Sequence, residues 1–426
     1  MFYAFGEPRY LLVMFSVIFC NYVGALLINS SKHPKFWLTA TVVANIGFLI
    51  YYKYFNFLIE NFNLIFSSKI PLLNIALPLG ISFYTFQALS YTIDVYRKIV
   101  KPQRNFCKLA LYISLFPQLI AGPIVKYHDI VDQIEGRKES LDSFYYGLRR
   151  FIIGLAKKVL IANTLGAVAS SIFSQPVTDV GTSYCWIGAL LWTLQVYYDF
   201  SGYSDMAVGL GALFGFKFME NFNYPYISRT ISEYWRRWHI SLGTWCKDYL
   251  YIPMGGSRVA TWRIYFNLFF LFIVIGMWHG ATWNFVFFGL WNALLICFER
   301  ALKLKDKKFN VFGEIILHAY TICAIFISSI FGCAKDLPQA INCIKNMFFE
   351  YKPNDLNYQM PYFFGREEII TLIVAIVFSA PILKNILHLK NNRLNALIDT
   401  GLIIVLILSC LKTINSSYNP FIYFRF

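Results

Sequence analysis

A run of 35 residues without a formal charge, Ile264–Phe298, limits the possible folds of this chain more than any other sequence feature. As one helix it would be about 52 Å long, because an α-helix rises about 1.5 Å per residue. The hydrocarbon core of a bilayer is only about 30 Å thick. We therefore predict two membrane segments that separate near Gly276-Met-Trp-His-Gly280.

Further apolar runs indicate an integral membrane protein. Hydrophobic residues make up 57% of the 426 residues and charged residues 14%, against about 25% charged in soluble domains. This composition excludes a disordered chain and an ordinary soluble enzyme. We expect an all-α, polytopic helical bundle of about ten or eleven spans, with re-entrant and interfacial helices, forming one domain over residues 1–426. The other candidate segments are Tyr10–Ser31, Phe36–Tyr52, Ile70–Ile93 with a break at Pro78-Leu-Gly80, Leu109–Val125, Val159–Thr178, Val180–Tyr198, Ile315–Ala334, Ile369–Leu383 and Leu394–Leu411.

The net charge of +15 has the distribution expected of a membrane protein. Basic residues concentrate in Arg97–Lys108, Lys217–Arg263 and Glu299–Lys308, which is typical of cytoplasmic loops. The charge therefore indicates a lipid bilayer as partner and not nucleic acid. These loops do not fix the topology of the N-terminal half, which stays open. The nine cysteines form no CxxC pair, so we predict neither a disulfide framework nor a bound metal.

The segment Ile231–Ile252 has a pattern different from that of a membrane span. Its apolar residues recur at steps of three and four, which predicts a helix, and Arg236, Arg237 and Lys247 lie mostly off that face. Such a helix lies in the membrane interface, with Ser228 or Ser232 as the candidate cap of its start. His239 would border the apolar face. A passive membrane anchor with a hydrogen-bonded histidine explains the same pattern.

His279 is the second candidate functional residue. It lies inside the long uncharged run, and an ionisable side chain at membrane depth is costly and commonly functional. Gly276 and Gly280 would allow a ligand or another backbone to approach closely, although packing of helices through small residues explains them equally. Of the other histidines, we expect His33 and His388 to be solvated, His128 to be interfacial and His318 to serve in packing.

Two carboxylates, Asp199 and Asp205, follow the span that ends at Tyr198. Three roles are open for them: binding a cation, acting as a base, or capping a helix that begins near Met206. Capping by Ser204 or Asp205 requires the least, because Ser and Asp are preferred at that position.

Several motifs together resemble the membrane-bound O-acyltransferase (MBOAT) family, in the branch of the alginate and peptidoglycan O-acetyltransferases. The two histidine motifs lie 40 residues apart and in the family's order. The resemblance covers nearly the whole chain, with the motif core at about residues 75–300. The segments that carry it are Glu233-Tyr-Trp-Arg-Arg-Trp-His239, Asp248-Tyr-Leu-Tyr-Ile-Pro-Met-Gly-Gly-Ser257, Gly276-Met-Trp-His279-Gly-Ala-Thr-Trp283-Asn284, Leu77–Gln87, Tyr91–Arg97, Phe116–Pro123, Tyr198–Ser204 and Asn419–Phe426.

The resemblance implies transfer of acetyl from a cytoplasmic thioester, acetyl-CoA, to a hydroxyl, with no bound cofactor. It implies His279 as general base, since a buried site favours the neutral imidazole, and His239 as its partner. It further implies a separate extracytoplasmic polysaccharide acetyltransferase as partner protein, and a location in the bacterial cytoplasmic membrane. Arg236, Arg237 and Lys247 are candidates for the donor's phosphates. Further candidate binding residues are Trp278, Trp283, Asn284, Tyr198 and Asp199, the first three as oxyanion donors together with the backbone near Gly280.

The sequence departs from the family pattern in two places. Relatives often begin with one or two more apolar helices before the segment that resembles Phe2–Pro8, and they often carry a further Trp-His-Gly where this chain has Leu290-Trp-Asn-Ala293. Two alternatives to an acetyltransferase of polysaccharide stay open. One is a relative in the same family that acts on a lipid or a D-alanyl substrate, and the other is a transporter.

Overall fold

The computed structural model describes residues 2–175, 180–349, 364–383 and 392–416, and these residues form helices and loops with no strand. The helical path continues through π-helical turns at Ile50–Tyr54, Lys157–Ala162 and Lys247–Tyr251. The α-helices are α1 Phe2–Gly6, α2 Leu11–Ser30, α3 Pro34–Leu49, α4 Phe55–Phe66, α5 Ile81–Tyr96, α6 Phe106–Ser114, α7 Phe116–Leu119, α8 Tyr127–Gly136, α9 Leu141–Ala156, α10 Asn163–Phe173, α11 Thr182–Leu213, α12 Ile231–Arg237, α13 Ile240–Cys246, α14 Thr261–His279, α15 Trp283–Ala301, α16 Val311–Cys333, α17 Leu337–Phe348, α18 Arg366–Phe378 and α19 Asn392–Asn415.

Six helical segments among the described residues are long and apolar enough to cross a membrane, so the chain is a multi-pass membrane protein. Fewer segments meet this criterion than the ten or eleven spans expected from the sequence. Two other long helices, α11 and α15, contain polar side chains among their apolar residues and are not among these six segments. The six segments are Pro8–Ser30, Pro34–Phe66, Leu141–Phe173, Thr261–His279, Val311–Cys333 and Arg393–Asn415.

Two predicted spans are not continuous helices. The run Ile70–Ile93 is helical only from Ile81 onward, so the predicted break at Pro78-Leu-Gly80 is confirmed, and the part before it has no regular secondary structure. The run Leu109–Val125 contains the end of α6 and the short α7, with Pro117 in the first turn of α7. Pro lacks a backbone N–H and fits only the start of a helix, which explains why no single span forms there. The end of the predicted span Val159–Thr178 and the motif Asn419–Phe426 lie outside the described residues.

Contacts between Cα atoms divide the chain into two compact units. The first unit comprises Met1–Leu148, Ala207–Met219 and Thr244–Pro253, and the second comprises Arg149–Met206, Glu220–Gly243 and Met254–Phe426. Each unit combines three separate stretches of sequence. A single functional domain over the whole chain stays a prediction.

The core of the first unit is built around α5, which packs against α2, α3, α6 and α8. Nearly every side chain of α5 is buried, including the polar Thr92 and Asp94. Thr92 donates a hydrogen bond to Asn21 Oδ1 at 2.7 Å, and Asn21 donates to Asn45 Oδ1 at 2.9 Å. This network pairs buried polar groups that would otherwise be costly away from water.

In the second unit, α14 and α15 pack closely through glycines. A Cβ atom at Gly276 would lie 2.1 Å from the carbonyl oxygen of Phe285, and one at Gly289 would lie 2.3 Å from that of Phe272. The chain turns between the two helices at residues 280–282. The prediction that the uncharged run breaks near Gly276–Gly280 is therefore confirmed, and its glycines serve helix packing.

The helix before His239 begins against a buried carboxylate. Glu299 on α15 accepts hydrogen bonds from the backbone N–H groups of Ile231, at 2.5 Å, and Ser232, at 2.8 Å. Thr230 supplies the side-chain cap by accepting from the Glu233 N–H at 3.1 Å, so the predicted cap at Ser228 or Ser232 is wrong. A negative charge at a helix N-terminus is favourable, and these contacts fix the start of α12 relative to α15.

Candidate active site

The predicted helix over Ile231–Ile252 breaks at His239. The helix α12 ends at Arg237 and α13 starts at Ile240, and His239 between them has φ +43°. This left-handed backbone conformation is rare for a residue with a Cβ. Apolar periodicity continues across the break, so the sequence pattern alone predicted one helix.

The periodicity predicted that His239 faces the membrane side of its helix, but its side chain is buried within the second unit. Its exposed fraction is 1%. The ring packs with its edge toward Phe200, with centroids 4.6 Å apart. Its Nδ1 lies 3.0 Å from Asn221 Oδ1, whereas Nε2 is buried with no hydrogen-bond partner among the described residues.

Burial lowers the pKa of His239 well below its ordinary value of about 6.5, and the nearby His279 lowers that pKa further. His239 lies outside the six candidate spans. Desolvation disfavours the charged imidazolium, so His239 is neutral near neutral pH. A neutral imidazole has a lone pair on one nitrogen and can accept a proton there.

His279 is the last residue of α14 and lies near His239. The ring centroid of Trp278 is 5.7 Å from that of His239 and 5.0 Å from that of His279. On another side, the His279 ring contacts Phe288, with centroids 5.7 Å apart. The structure therefore brings the two predicted histidines together around Trp278.

A small cavity lies beside His279 in the second unit. Its volume is about 100 Å³, and one water requires about 10–15 Å³ by the same measure, so the cavity can hold a few water-sized groups. The lining combines aromatic rings with a small number of polar groups, which is typical of small-molecule sites. The aromatic lining residues are Trp192, Phe200, Tyr226, Tyr234, Trp235, Trp238, Phe285 and Phe288.

Asn292 provides polar lining at the position where relatives often have a third histidine motif. It accepts a hydrogen bond from Trp235 Nε1 at 3.0 Å and donates to Ser328 Oγ at 2.7 Å. It also donates to the carbonyl oxygen of Phe288 at 2.8 Å. These bonds hold the cavity wall in place, and no sequence motif indicated that role.

The basic residues predicted to bind the donor differ in their surroundings. Arg236 is exposed. Arg237 donates to Glu233 Oε1 at 2.9 Å and to the carbonyl oxygen of Asn223 at 3.1 Å. Lys247 is exposed and belongs to the first unit. Arg237 is held in place by these bonds, and donor binding by all three residues stays a prediction.

Of the three side chains predicted as oxyanion donors, Trp278 contacts both histidines. Trp283 is 50% exposed. Asn284 is buried and donates through Nδ2 to the carbonyl oxygen of Ala334 at 2.9 Å. None of these three side chains lines the cavity beside His279, and His239 does not line it either.

The residues near the Tyr198 motif make structural contacts. Tyr198 donates to the carbonyl oxygen of Ala375 at 2.7 Å. Asp199 pairs with Lys158 at 2.7 Å, and Asp205 pairs at 2.7 Å with both Arg150 and Lys157. Since α11 runs without a break from Thr182 to Leu213, no helix begins near Met206, and the predicted capping by Ser204 or Asp205 is wrong.

The other histidines have varied surroundings. His33 is exposed, as predicted, and His318 Nδ1 donates to the carbonyl oxygen of Ser228 at 3.1 Å, in agreement with a packing role. His388 lies outside the described residues. Within the described ranges, no group of three or more His, Cys, Asp or Glu side chains could hold a metal ion.

Sequence reasoning missed two clusters. The first is Asn221 with His239, since Asn221 lies in an irregular loop with no motif of its own. The second belongs to the first unit, where Asp94 accepts hydrogen bonds from Tyr249 at 2.9 Å and contacts His128 Nδ1 at 2.7 Å. The sequence signal for the second was Asp94, a carboxylate directly after the apolar run Ile70–Ile93.

The chain is similar to known proteins over its whole length. Residues 97–333 match the model of the membrane-bound O-acyltransferase family, MBOAT. The chain is 37% identical to the probable alginate O-acetylase AlgI of Pseudomonas putida over an alignment of 455 positions, which covers 100% of this chain and 92% of that protein. It is 33% identical to the peptidoglycan O-acetyltransferase of Helicobacter pylori over an alignment of 479 positions, which covers 100% of this chain and 89% of that protein. It is 30% identical to the teichoic acid D-alanyltransferase of Bacillus subtilis over 271 residues, or 60% and 66%.

Proposed function

This chain belongs to the membrane-bound O-acyltransferase family, and from that premise we propose that it moves acetyl from cytoplasmic acetyl-CoA toward an extracytoplasmic polysaccharide of the alginate or peptidoglycan type. The observation that carries the proposal is the contact of His239 and His279 with Trp278, together with the small aromatic cavity that His279 lines. The full-length similarity to two O-acetyltransferases supports acetyl as the transferred group.

The chemistry requires a base, because a hydroxyl is a poor nucleophile near neutral pH. In the proposed mechanism His279 removes the proton of the acceptor hydroxyl, and His239 shares that proton. The hydroxyl oxygen bonds to the thioester carbonyl carbon, the carbon–sulfur bond then breaks, and the departing thiolate takes the proton back. The indole N–H of Trp278 is the proposed donor to the oxyanion of the tetrahedral intermediate.

The surroundings of the histidines suit this reaction. Rings of Phe200, Phe285 and Phe288 limit the access of water, which strengthens electrostatic interactions with the developing oxyanion. A cavity of about 100 Å³ suits a short acyl group. We propose the bacterial cytoplasmic membrane as the location, since acetyl-CoA is cytoplasmic while the polymer is outside.

We further propose that a separate extracytoplasmic acetyltransferase receives the acetyl group and places it on the polymer. The same-family alternative is transfer of D-alanyl, which the similarity to a teichoic acid D-alanyltransferase favours over other acyl groups. Arg236 and Arg237, both basic and both in the second unit, are the proposed contacts to the phosphates of the donor.

Labelled donors and defined acceptors test the proposal. Membranes that contain the protein receive acetyl-CoA labelled on the acetyl group, together with alginate, peptidoglycan or lipoteichoic acid, with and without an extracytoplasmic acetyltransferase. We expect label in alginate or peptidoglycan and release of CoA. Parallel membranes receive a D-alanyl thioester labelled on the D-alanyl group in place of acetyl-CoA. Label that enters lipoteichoic acid from this donor, with none transferred from acetyl-CoA, would contradict the acetyl assignment.

A further inference from the structure

We propose that Asn221 is a positioning residue that holds the proton of neutral His239 on Nδ1, so that Nε2 is the atom that accepts a proton during acyl transfer. The inference rests on the proposed function and deepens it by assigning one nitrogen of His239. Asn221 acts through His239 and does not itself touch the reacting atoms.

The orientation of the Asn221 amide follows from Ser241. The backbone N–H of Ser241 lies 3.1 Å from Asn221 Oδ1, and its hydroxyl oxygen lies 2.9 Å from the same atom. A backbone N–H can only donate. The side-chain atom of Asn221 that faces it must therefore be the oxygen, because an amide NH2 there would place two donors against each other.

The tautomer of His239 follows from that orientation. Nδ1 of His239 lies 3.0 Å from the same oxygen of Asn221, and an oxygen of this kind only accepts. Nδ1 must carry a proton, since two lone pairs would otherwise face each other. In the neutral ring the lone pair is then on Nε2.

Asn221 is itself held from several directions. Its Nδ2 donates to Ser204 Oγ at 3.0 Å, and its backbone carbonyl oxygen accepts from the Ile240 N–H at 2.9 Å. It is almost fully buried. The second of these bonds fixes the residue that follows His239, whose own backbone is left-handed. Such strain persists only where the surrounding contacts determine it.

The second observation is Nε2 itself, which is buried and has no hydrogen-bond partner among the described residues. Buried polar atoms are paired in the great majority of cases, and an exception requires an explanation. The rings of Phe200 and Trp278 lie against the imidazole. A proton acceptor that meets its partner only in the reaction explains why this atom is left unpaired.

The proton and the electrons balance in this role. His279 removes the proton of the acceptor hydroxyl as the hydroxyl oxygen bonds to the thioester carbonyl carbon, and Nε2 of His239 then takes up that proton from His279. His239 is then an imidazolium whose Nδ1–H still donates to Asn221. When the carbon–sulfur bond breaks, the thiolate takes the proton from Nε2.

Two substitutions at Asn221 and one control test the inference. Asn221→Ala removes the acceptor of Nδ1–H, and we expect the rate of acetyl transfer to fall about 10- to 100-fold per folded molecule. Asn221→Asp keeps an oxygen there, so we expect it to restore much of the rate. Asn223→Ala, two residues away and exposed, is the matched control, and we expect the wild-type rate.

The pH dependence separates positioning from a purely structural role. The carboxylate in Asn221→Asp would favour the imidazolium, so the acid side of its rate profile should move to higher pH than in wild type. His279 is the titratable group that acts on His239 among the described residues, and it is unchanged in this variant. The inference would be overturned if the pH–rate profile of Asn221→Asp matched that of wild type and its rate were no higher than that of Asn221→Ala. A wild-type rate in Asn221→Ala would also overturn it.

Failure of this inference can be told from failure of the proposed function. Wild-type membranes that release no CoA from acetyl-CoA would contradict the function itself. Wild-type transfer together with full activity of Asn221→Ala would contradict only the role of Asn221. The amount of folded protein in each membrane is measured by fluorescence-detected size exclusion after solubilisation.

Discussion

Asp94 and His128 form a close pair in the first unit, with His128 Nδ1 at 2.7 Å from Asp94 Oδ2. The carboxylate is fully buried, whereas the imidazole is one-third exposed. The hydrogen bond to Asp94 raises the pKa of His128, with Asp129 adding to the shift and burial and Lys126 opposing it. His128 therefore joins α8 to the buried face of α5.

This pair predicts a pH-dependent contribution to stability. A histidine whose pKa is raised on folding stabilises the folded state fully below its unfolded pKa of about 6.5, and the contribution is lost as pH rises through the folded pKa. Thermal unfolding in detergent at a series of pH values measures it. The stability difference between wild type and His128→Asn should be largest at acidic pH and shrink as pH rises. A difference that does not change with pH would contradict this role.

The pair of Asp199 and Lys158 predicts a loss of stability without a specific loss of catalysis. Asp199 is 1% exposed, and removal of one partner from a buried ion pair costs about 3–5 kcal/mol. Asp199→Ala should therefore lower the thermal midpoint, and Asp199→Leu combined with Lys158→Met should recover part of the loss. The rate per folded molecule should stay near wild type. A rate loss in a normally stable Asp199→Ala protein would instead support donor binding by Asp199.

The contact between α14 and α15 predicts a strong effect of one methyl group. In Gly276→Ala the new Cβ would meet the Phe285 carbonyl oxygen, and such overpacking costs about 1–3 kcal/mol. Separation of the helices would also displace His279. Gly47→Ala on α3 is the matched control because no heavy atom lies within 4 Å of its Cβ position. Thermal unfolding should show destabilisation in Gly276→Ala alone, and equal midpoints for both variants would contradict the packing argument.

Trp278 gives a separate test of the oxyanion assignment. Trp278→Phe keeps an aromatic ring beside both histidines but removes the indole N–H. Loss of one oxyanion donor lowers kcat about 10²- to 10³-fold, and we expect KM to change little. Steady-state kinetics with acetyl-CoA measure both constants. A normal kcat would exclude the indole N–H as the oxyanion donor.

The arrangement of membrane helices was predictable only in part. The break near His279 followed from length, because Ile264–Phe298 is too long for one crossing. Periodicity failed at His239, since a single left-handed residue interrupts the helix without disturbing the apolar pattern. The capping role of Thr230 was missed because nearby serines fit the same rule equally well.

The candidate site was predictable where it resembles a family and not where it depends on tertiary contacts. The two histidines and Trp278 came from motifs, and the structure brings their rings together. Asn221 lies 18 positions from His239 in a loop, and nothing local indicates that its amide meets the imidazole. Asp199 and Arg237 form ion pairs with Lys158 and Glu233, and no sequence motif indicated these pairings. Their predicted roles in binding stay predictions.

Transfer of labelled acetyl from acetyl-CoA by membranes that carry single histidine variants tests the proposed function most directly. We predict that His279→Ala abolishes transfer and that His239→Ala lowers it strongly, while the exposed His33→Ala keeps the wild-type rate at equal amounts of folded protein. Wild-type transfer by folded His279→Ala would contradict the assignment of the catalytic base.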